Sequence, residues 1–366
     1  MPKISIILPN LQGGGAERLH INLAEDWLAR GYQVEFVLMQ KNGELLPLVC
    51  AQATIKNLNV KKTRYLLLPL AKYLWQANAD IIIAAMWPLT SLTVLAWLLT
   101  FKKGRLFVSD HNQLSVSCQH ELKHKQNLTQ LANWIKWTYP QATGIIAVSK
   151  GVKADIMAFT GFESDKIEVI YNPAAASNLP YLLATTPREL LWGKGYDYHI
   201  LAVGTLKPIK DYPTLIKAFA QLPVELNCKL IILGEGECRA TLTRLIAALN
   251  LQTRVELRGF VTYPQPWFNS ADLFVLSSYS EGFGNVIVEA LEFGVPVVAT
   301  QCGGPVEILD NGRYGSLVPV GDYDALAKAM QASLLTSHNH ADLKQRAQDF
   351  SVATISKQYL SYFFRK

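Results

Sequence analysis

Short runs built almost wholly of branched apolar residues recur along this chain, each followed by a turn or a helical pattern. "KISIIL" comes first, then "DIIIAAM", "RLFVSD" and "GIIAVS". Later come "YHILAVGTL", "CKLIILGEG", "RVELRGF", "ADLFVLSS" and "VPVVATQ". Runs this short and this apolar predict strands covered on both faces, as in parallel sheets with crossover helices. The opening unit spells this out. Its strand ends in the loop "LQGGG", and a helical pattern follows over residues 16–30, with Leu19, Leu23, Trp27 and Leu28 on one face. Gly31 stops the helix and "QVEFVLMQ" reads as the next strand, which completes a parallel crossover.

The grammar appears twice. Between residues 172 and 196 the periodicity fades into a stretch with three prolines, and the strand–helix alternation then resumes. The expected fold class is therefore α/β, with two facing Rossmann-like doubly wound domains and a cleft between them where strand ends meet a ligand. The expected boundaries are residues 1–172, a linker at 173–195, a second domain at 196–345, and a helical segment at 346–366 that returns to the first domain. A chain of 366 residues can supply two cores, and a composition that is 50% apolar and 17% charged argues against disorder. The opening "MPKISIILPN" has too short an apolar run for a signal peptide. Cys50, Cys118, Cys228, Cys238 and Cys302 are odd in number and lack C-x-x-C spacing, which fits free thiols in a reducing cytosol.

Residues 81–101 carry no charge and are long enough to span a bilayer, but Trp87-Pro88 interrupts them. A buried strand followed by a helix accounts for the break, since proline suits a helix start and not its interior. Charge is unevenly placed. Residues 1–172 hold 18 Lys and Arg against 12 Asp and Glu, so the first half carries the whole net charge of +6. "KKTR" at 61–64 and "KKGR" at 102–105 adjoin the apolar stretches "YLLLPL" and "LAWLLTF". Two readings stand: a face for an anionic membrane surface or a pyrophosphate lipid, or solvated loops on a mildly basic protein.

Neither "GGG" at 13–15 nor "GEGECR" at 234–239 completes a dinucleotide fingerprint or a Walker loop, which leaves a nicotinamide enzyme poorly supported. Either glycine loop is a tight strand-to-helix turn or a place where an anion approaches the backbone. Asp322-Tyr323-Asp324 has the D-x-D form of a metal site, but its place after Gly321 and before a helical run favours a cap. "HNH" at 338–340 has no partner ligands nearby and reads as an exposed loop. His111 follows a buried strand, at the end where α/β domains bind ligands, and is either structural or functional.

"EGFGNVIVEA", residues 281–290, sets Glu281 and Glu289 eight positions apart, so they do not share a helical face. Glu281 is expected on the loop and Glu289 inside the helix, touching different parts of one extended ligand. The helix start from Gly284 through Asn285 to Val286 offers N–H groups to a diphosphate, and a carboxylate accepts hydrogen bonds from sugar hydroxyls.

"EGFGNVIVEALEFGVPVVAT" resembles the E-x7-E motif of the retaining glycosyltransferases of family four, which have the GT-B fold. The resemblance extends over most of the chain through "GGGAERLHINLAEDWLARGYQVEFVL", "AVSKGVKADI", "IEVIYNP", "VGTLKPIKDYPTLIKAF", "GGPVEIL" and "GRYGSLVP". It implies a nucleotide-sugar donor held mainly by the second domain and a glycan or lipid-linked acceptor held mainly by the first. Glu281 would contact donor-sugar hydroxyls, and Glu289 the ribose. Gly284, Asn285 and Val286 would give backbone contacts near the sugar and diphosphate. Gly14 and Gly15 would approach the phosphates, His111 the sugar near its reactive carbon, and Lys210 the diphosphate. The family needs no metal and no cofactor beyond the donor itself. The implied activity is hexosyl or N-acetylhexosaminyl transfer by a cytoplasmic, peripheral membrane enzyme, with no nucleic acid as partner.

One position departs. The family's "GRL" reads "GTL", so Thr205 stands where a diphosphate-binding arginine is expected. A hydroxyl has neither the fork nor the charge of a guanidinium. Lys207, two residues on, is the nearby candidate to compensate; the alternative is a catalytically weak or inactive binding subunit.

Overall fold

The computed structural model describes residues 1–12, 14–111, 115, 125–162, 164–175 and 186–365. Its strands form two parallel sheets. The first has the order β3-β2-β1-β4-β5-β6-β7, from Lys3–Leu8 (β1), Gln33–Leu38 (β2), Thr54–Asn57 (β3), Ile81–Ala85 (β4), Arg105–Asp110 (β5), Gly144–Ala147 (β6) and Ile167–Val169 (β7). The second runs β10-β9-β8-β11-β12-β13. It comprises Tyr198–Val203 (β8), Cys228–Leu233 (β9), Val255–Gly259 (β10), Leu273–Leu276 (β11), Val297–Thr300 (β12) and Ser316–Val318 (β13). These are Rossmann-like orders. In each, the order reverses beside the first strand of the sheet, between β1 and β4 and between β8 and β11.

The central strands are buried along nearly their whole length, as apolar runs covered on both faces must be. Residues 81–101 are β4 followed by the helix Leu89–Leu98. No helix among the described residues is long and apolar enough to cross a membrane. Asp322 caps the helix Tyr323–Leu335, its side chain accepting from Ala325 N at 2.8 Å, which occupies that carboxylate in a structural task. The "HNH" stretch is not simply a loop. His340 opens the helix His340–Gln348, which packs against the helix Asn285–Glu292, and His338 contacts Ser333 O through Nε2 at 2.8 Å.

The chain divides into two compact units, Met1–Pro173 with Ser351–Lys366, and Ala174–Phe350. The middle of the expected linker, residues 176–185, lies outside the described residues. The last helix, Val352–Phe364, belongs to the first unit. Phe363 packs edge-on to Trp27 with centroids 5.7 Å apart and lies 4.8 Å from Phe107. Ser356 donates to Asp26 on the first helix, Gly15–Ala29, and Arg105 holds the carbonyl of Arg365 at 2.9 Å.

Phe363 is fully buried, so Phe363→Ala should cost about 3–5 kcal/mol of stability. Native-state hydrogen exchange is expected to show the loss in the amides of β1 and β5 and not in those of β8 and β11. Equal loss in both sheets would contradict the helix's assignment to the first unit.

Candidate active site

In the second unit the strand order brings two loops together. β8 and β11 are neighbours at the point of reversal, so the segments leaving their carboxyl ends lie side by side. The β8 segment closes in a turn at Pro208–Lys210, and Asp211, at φ 44°, leads into the helix Tyr212–Ala220. The β11 segment carries Ser277, Ser278 and Glu281.

The two are stitched at several points. Lys210 Nζ donates to Glu281 Oε1 at 2.6 Å, and Ser278 Oγ donates to the same oxygen at 2.6 Å. Ser277 Oγ holds the carbonyl of Lys210 at 2.9 Å, and Tyr279 N donates to Ile209 O at 2.8 Å. Thr300 Oγ1 in turn fixes the carbonyl of Ser278 at 2.6 Å. Glu281 N donates to Cys302 O at 3.1 Å, which anchors the carboxylate's own backbone to the segment after β12. A partly buried ion pair held this way is fixed in direction as well as in charge.

Two glycines permit the next turn. Gly284, at φ 106°, reverses the chain into the helix Asn285–Glu292 and supplies no side-chain cap to its first N–H groups. Gly304 lies so close to Phe283 that a Cβ would overlap the phenylalanine backbone. Val286 falls in the first turn of that helix, and Glu289 lies a turn inside it, partly buried. Thr205 and Lys207 are exposed on the segment after β8. Lys210 and Glu281 are thus brought into contact, while Glu289 is displaced along the helix.

In the first unit, Gly14 and Gly15 start the helix Gly15–Ala29, and the carboxyl group of Glu17 lies over the open face of Gly14. Burial raises the Glu17 carboxyl above its ordinary pKa. His111 follows β5, and Ser109 Oγ lies 3.1 Å from its Nε2. Its ring meets that of His20 edge-on, with centroids 5.6 Å apart. His20 Nδ1 lies 2.7 Å from the carbonyl of Ala16, which can only accept, so the proton sits on Nδ1. The glycine turn and His111 are therefore linked through a residue of the first helix. Beside them Tyr139 OH donates to the buried Asp110 at 3.0 Å and lies 3.0 Å from Thr90 Oγ1.

Sequence reasoning missed His20, Ser277 and Ser278. The signal for His20 was a polar residue on the apolar face shared by Leu23 and Trp27; the serines are polar residues directly after a buried strand.

The Glycosyltransferase Family 4 family matches residues 13–177, and the Glycosyl transferases group 1 family matches residues 192–350. The chain belongs to the family-four glycosyltransferases. Solved GT-B structures share its fold. That of Anabaena HepE in complex with UDP and glucose superposes with a TM-score of 0.79 at 23% identity, covering 99% of both chains. The N-acetylgalactosamine-N,N'-diacetylbacillosaminyl-diphospho-undecaprenol 4-alpha-N-acetylgalactosaminyltransferase of Campylobacter jejuni is 29% identical over 99% of both chains. The lipopolysaccharide core biosynthesis glycosyltransferase LpsE of Rhizobium meliloti is 32% identical over 44% of this chain and 47% of its own.

The histidine pair gives this glycosyltransferase a defined pH response. Burial lowers the pKa of His20 to about 4, and burial followed by the neighbouring His20 lowers that of His111 to about 3. Both bind fewer protons folded than unfolded. Their contribution to stability is complete above the ordinary value of 6.5 and is lost as pH falls toward those lowered values. Asp110, raised by burial to about 7, acts oppositely: its contribution is complete below 3.8 and fades as pH rises. Both imidazole rings should remain neutral to pH 5 by NMR. His20→Phe should reduce the slope of stability against pH between 4 and 6.5 by up to about 1.4 kcal/mol per pH unit. An unchanged slope would contradict the shift at His20.

Proposed function

We propose that this glycosyltransferase moves one hexosyl or N-acetylhexosaminyl residue from a nucleotide-diphosphate sugar to a hydroxyl of a lipid-linked surface glycan, with retention of anomeric configuration. The observation that carries the reading is the Lys210–Glu281 pair beside the start of the helix Asn285–Glu292. A diphosphate needs cations and N–H donors, a sugar needs acceptors, and the two loops offer both together. The diphospho-undecaprenol acceptor named for the Campylobacter relative supports a lipid-linked acceptor.

In this reading Lys210 exchanges its bond to Glu281 for one to the diphosphate, and Glu281 turns to the sugar hydroxyls. The bond from the anomeric carbon to the diphosphate oxygen breaks. The acceptor oxygen forms its bond on the same face, and its proton passes to the departing phosphate. Charge on the leaving group is met by Lys210, by N–H groups of Gly284, Asn285 and Val286, and by Lys207 in place of the guanidinium absent at Thr205. Glu289 holds the ribose, His111 the sugar, and Gly14 with Gly15 the phosphates. Metal independence is part of the proposal. The exposed Thr205 motivates the rival reading, a weak or inactive binding subunit. Sugar transfer, or donor hydrolysis without acceptor, by the purified chain separates the two, and a thermal-shift panel of nucleotide sugars selects the donor.

Calorimetry of UDP and GDP should show Glu289→Ala losing bare-nucleotide affinity while Glu281→Ala keeps it and loses turnover. Equal affinity loss in both would contradict the separate roles.

Lys210 is expected to be the indispensable cation, since a helix terminus alone supplies roughly half a unit charge. Lys210→Ala should lose most transfer, Lys207→Ala a smaller but clear share, and Thr205→Arg should preserve or improve donor binding. If Lys207→Ala leaves affinity and rate untouched, compensation for the missing arginine is wrong.

A further inference from the structure

A second surface of the first unit is built from aromatic rings and lysines. The helix Leu67–Ala77 packs against the helix Leu89–Leu98 and buries Leu70, Tyr73 and Leu74. Its outer side presents Leu68, Lys72 and Trp75, spaced by four and then three residues, so they share one face. Leu68 is 74% exposed. At the end of this face stands Phe101, 84% exposed, with its ring edge-on to Trp75 at 6.2 Å between centroids. Lys103 Nζ lies 4.4 Å from the centroid of the Trp75 ring, and Lys102 Nζ 5.7 Å from that of Trp97. At the other end Arg64 lies over the ring of the exposed Tyr65 at 4.8 Å. Phe101 and Lys102 both have left-handed backbone, at φ 55° and 58°. A bulky residue seldom adopts this conformation, and here it ends in a ring left in water.

The charge on this surface has one sign. From residue 45 to residue 109 the sequence holds eight lysines and arginines and a single acid, Asp80. That acid accepts from the backbone N–H of Lys3 at 2.7 Å. The segment's excess of seven positive charges exceeds the +6 of the whole chain.

We infer that this face, from Tyr65 through Leu68 and Trp75 to Phe101 and Lys103, docks the first unit on a bilayer containing anionic phospholipid. Contiguous exposed apolar groups on a folded protein mark a binding surface. Tryptophan, and lysine with its apolar stem and charged head, are the side chains that match the boundary between headgroups and acyl chains. An acidic protein or a nucleic acid would meet the lysines but would leave Leu68 and Phe101 without an apolar partner. The lipid surface satisfies both. The inference goes beyond the proposed transfer; it rests on that reading only for the purpose of the docking, to bring the enzyme to a lipid-linked acceptor.

Sedimentation of the full chain with phosphatidylcholine vesicles, with and without phosphatidylglycerol, tests it. The wild type should partition onto the anionic vesicles, less onto neutral ones, and less again as salt screens the attraction. Phe101→Ser, and Lys102→Ala combined with Lys103→Ala, should each reduce partitioning by about tenfold. Lys194→Ala in the second unit should not. UDP affinity, and transfer to an acceptor dispersed in detergent, should stay unchanged in all these variants, which shows that they remain folded. Wild-type protein left in the supernatant, variants that sediment like wild type, or retention on nucleic acid or an acidic polypeptide without vesicle binding would overturn the inference. Failure of UDP binding and transfer alongside patch-dependent vesicle binding would overturn the proposed function and leave this surface standing.

Discussion

A parallel strand covered by helices on both faces has no room for unpaired polar groups along its length, and most of this molecule follows from that constraint. Ile4, Ile6, Ile83, Leu230, Ile232 and Val275 are excluded from solvent because two layers of helix meet over them. The Lys210–Glu281 pair therefore lies in the segments where strands end. All strands of a sheet point the same way, so those segments gather along one edge, and the reversal of strand order decides which of them become neighbours. Lys210 and Glu281 meet for this reason. They are 71 residues apart in the chain, and the adjacency of β8 and β11 sets them 2.6 Å apart.

The pair also shows how a site can be shaped before its ligand arrives. A lysine and a carboxylate left apart in a partly buried place would each carry an uncompensated charge. Joined, they neutralise one another, and the bonds from Ser277 to Lys210 and from Ser278 to Glu281 hold both at fixed points. A diphosphate sugar carries complementary groups in the same order, phosphate for the cation and hydroxyl for the anion. Under the proposed reading, binding exchanges one ion pair for charge-assisted bonds to the ligand without exposing either charge. The histidines of the first unit follow another logic. Among the described residues no counter-charge pairs with His20 or His111, so burial keeps them neutral and available as hydrogen-bonding groups.

The central strands were legible because apolar runs of five or six residues leave few alternatives, and a glycine marked the turn after some of them, as at Gly14, Gly204 and Gly234. The edge strands β3 and β13 were not. "TIKN" and "SLV" are short, and Thr54, Lys56, Asn57 and Ser316 are exposed, so neither carries the apolar run that burial imposes. At the site, the motif pointed to Glu281 and Glu289 and the wider family resemblance to Lys210, but spacing could not show that Lys210 and Glu281 touch. Contact across two loops depends on strand order, which no local window contains. Ser277 and Ser278 escaped notice for a related reason: a serine's role is set by the atom it reaches, here a carbonyl and a carboxylate on distant segments. His20 sat within a helical apolar face, where a ring of its size passes for core.

The distribution of charge completes the division between the units. The second half of the chain holds equal numbers of acids and bases, and yet the proposed donor is an anion. A unit without net charge offers no long-range attraction to such a ligand, so recognition must come from placed groups: Lys210, Lys207 and the N–H groups after Gly284. That arrangement favours discrimination, since each contact is short and directional. The first half has the opposite design. Its positive excess is spread over Lys61, Lys62, Arg64, Lys72, Lys102 and Lys103, and several of these lie over aromatic rings rather than in pairs with acids. Cations spread in this way recognise a surface by its potential and make little distinction among individual headgroups. Under the proposed reading, a transferase that takes a soluble donor and a lipid-linked acceptor needs both kinds of recognition, and these fall to different halves of the sequence.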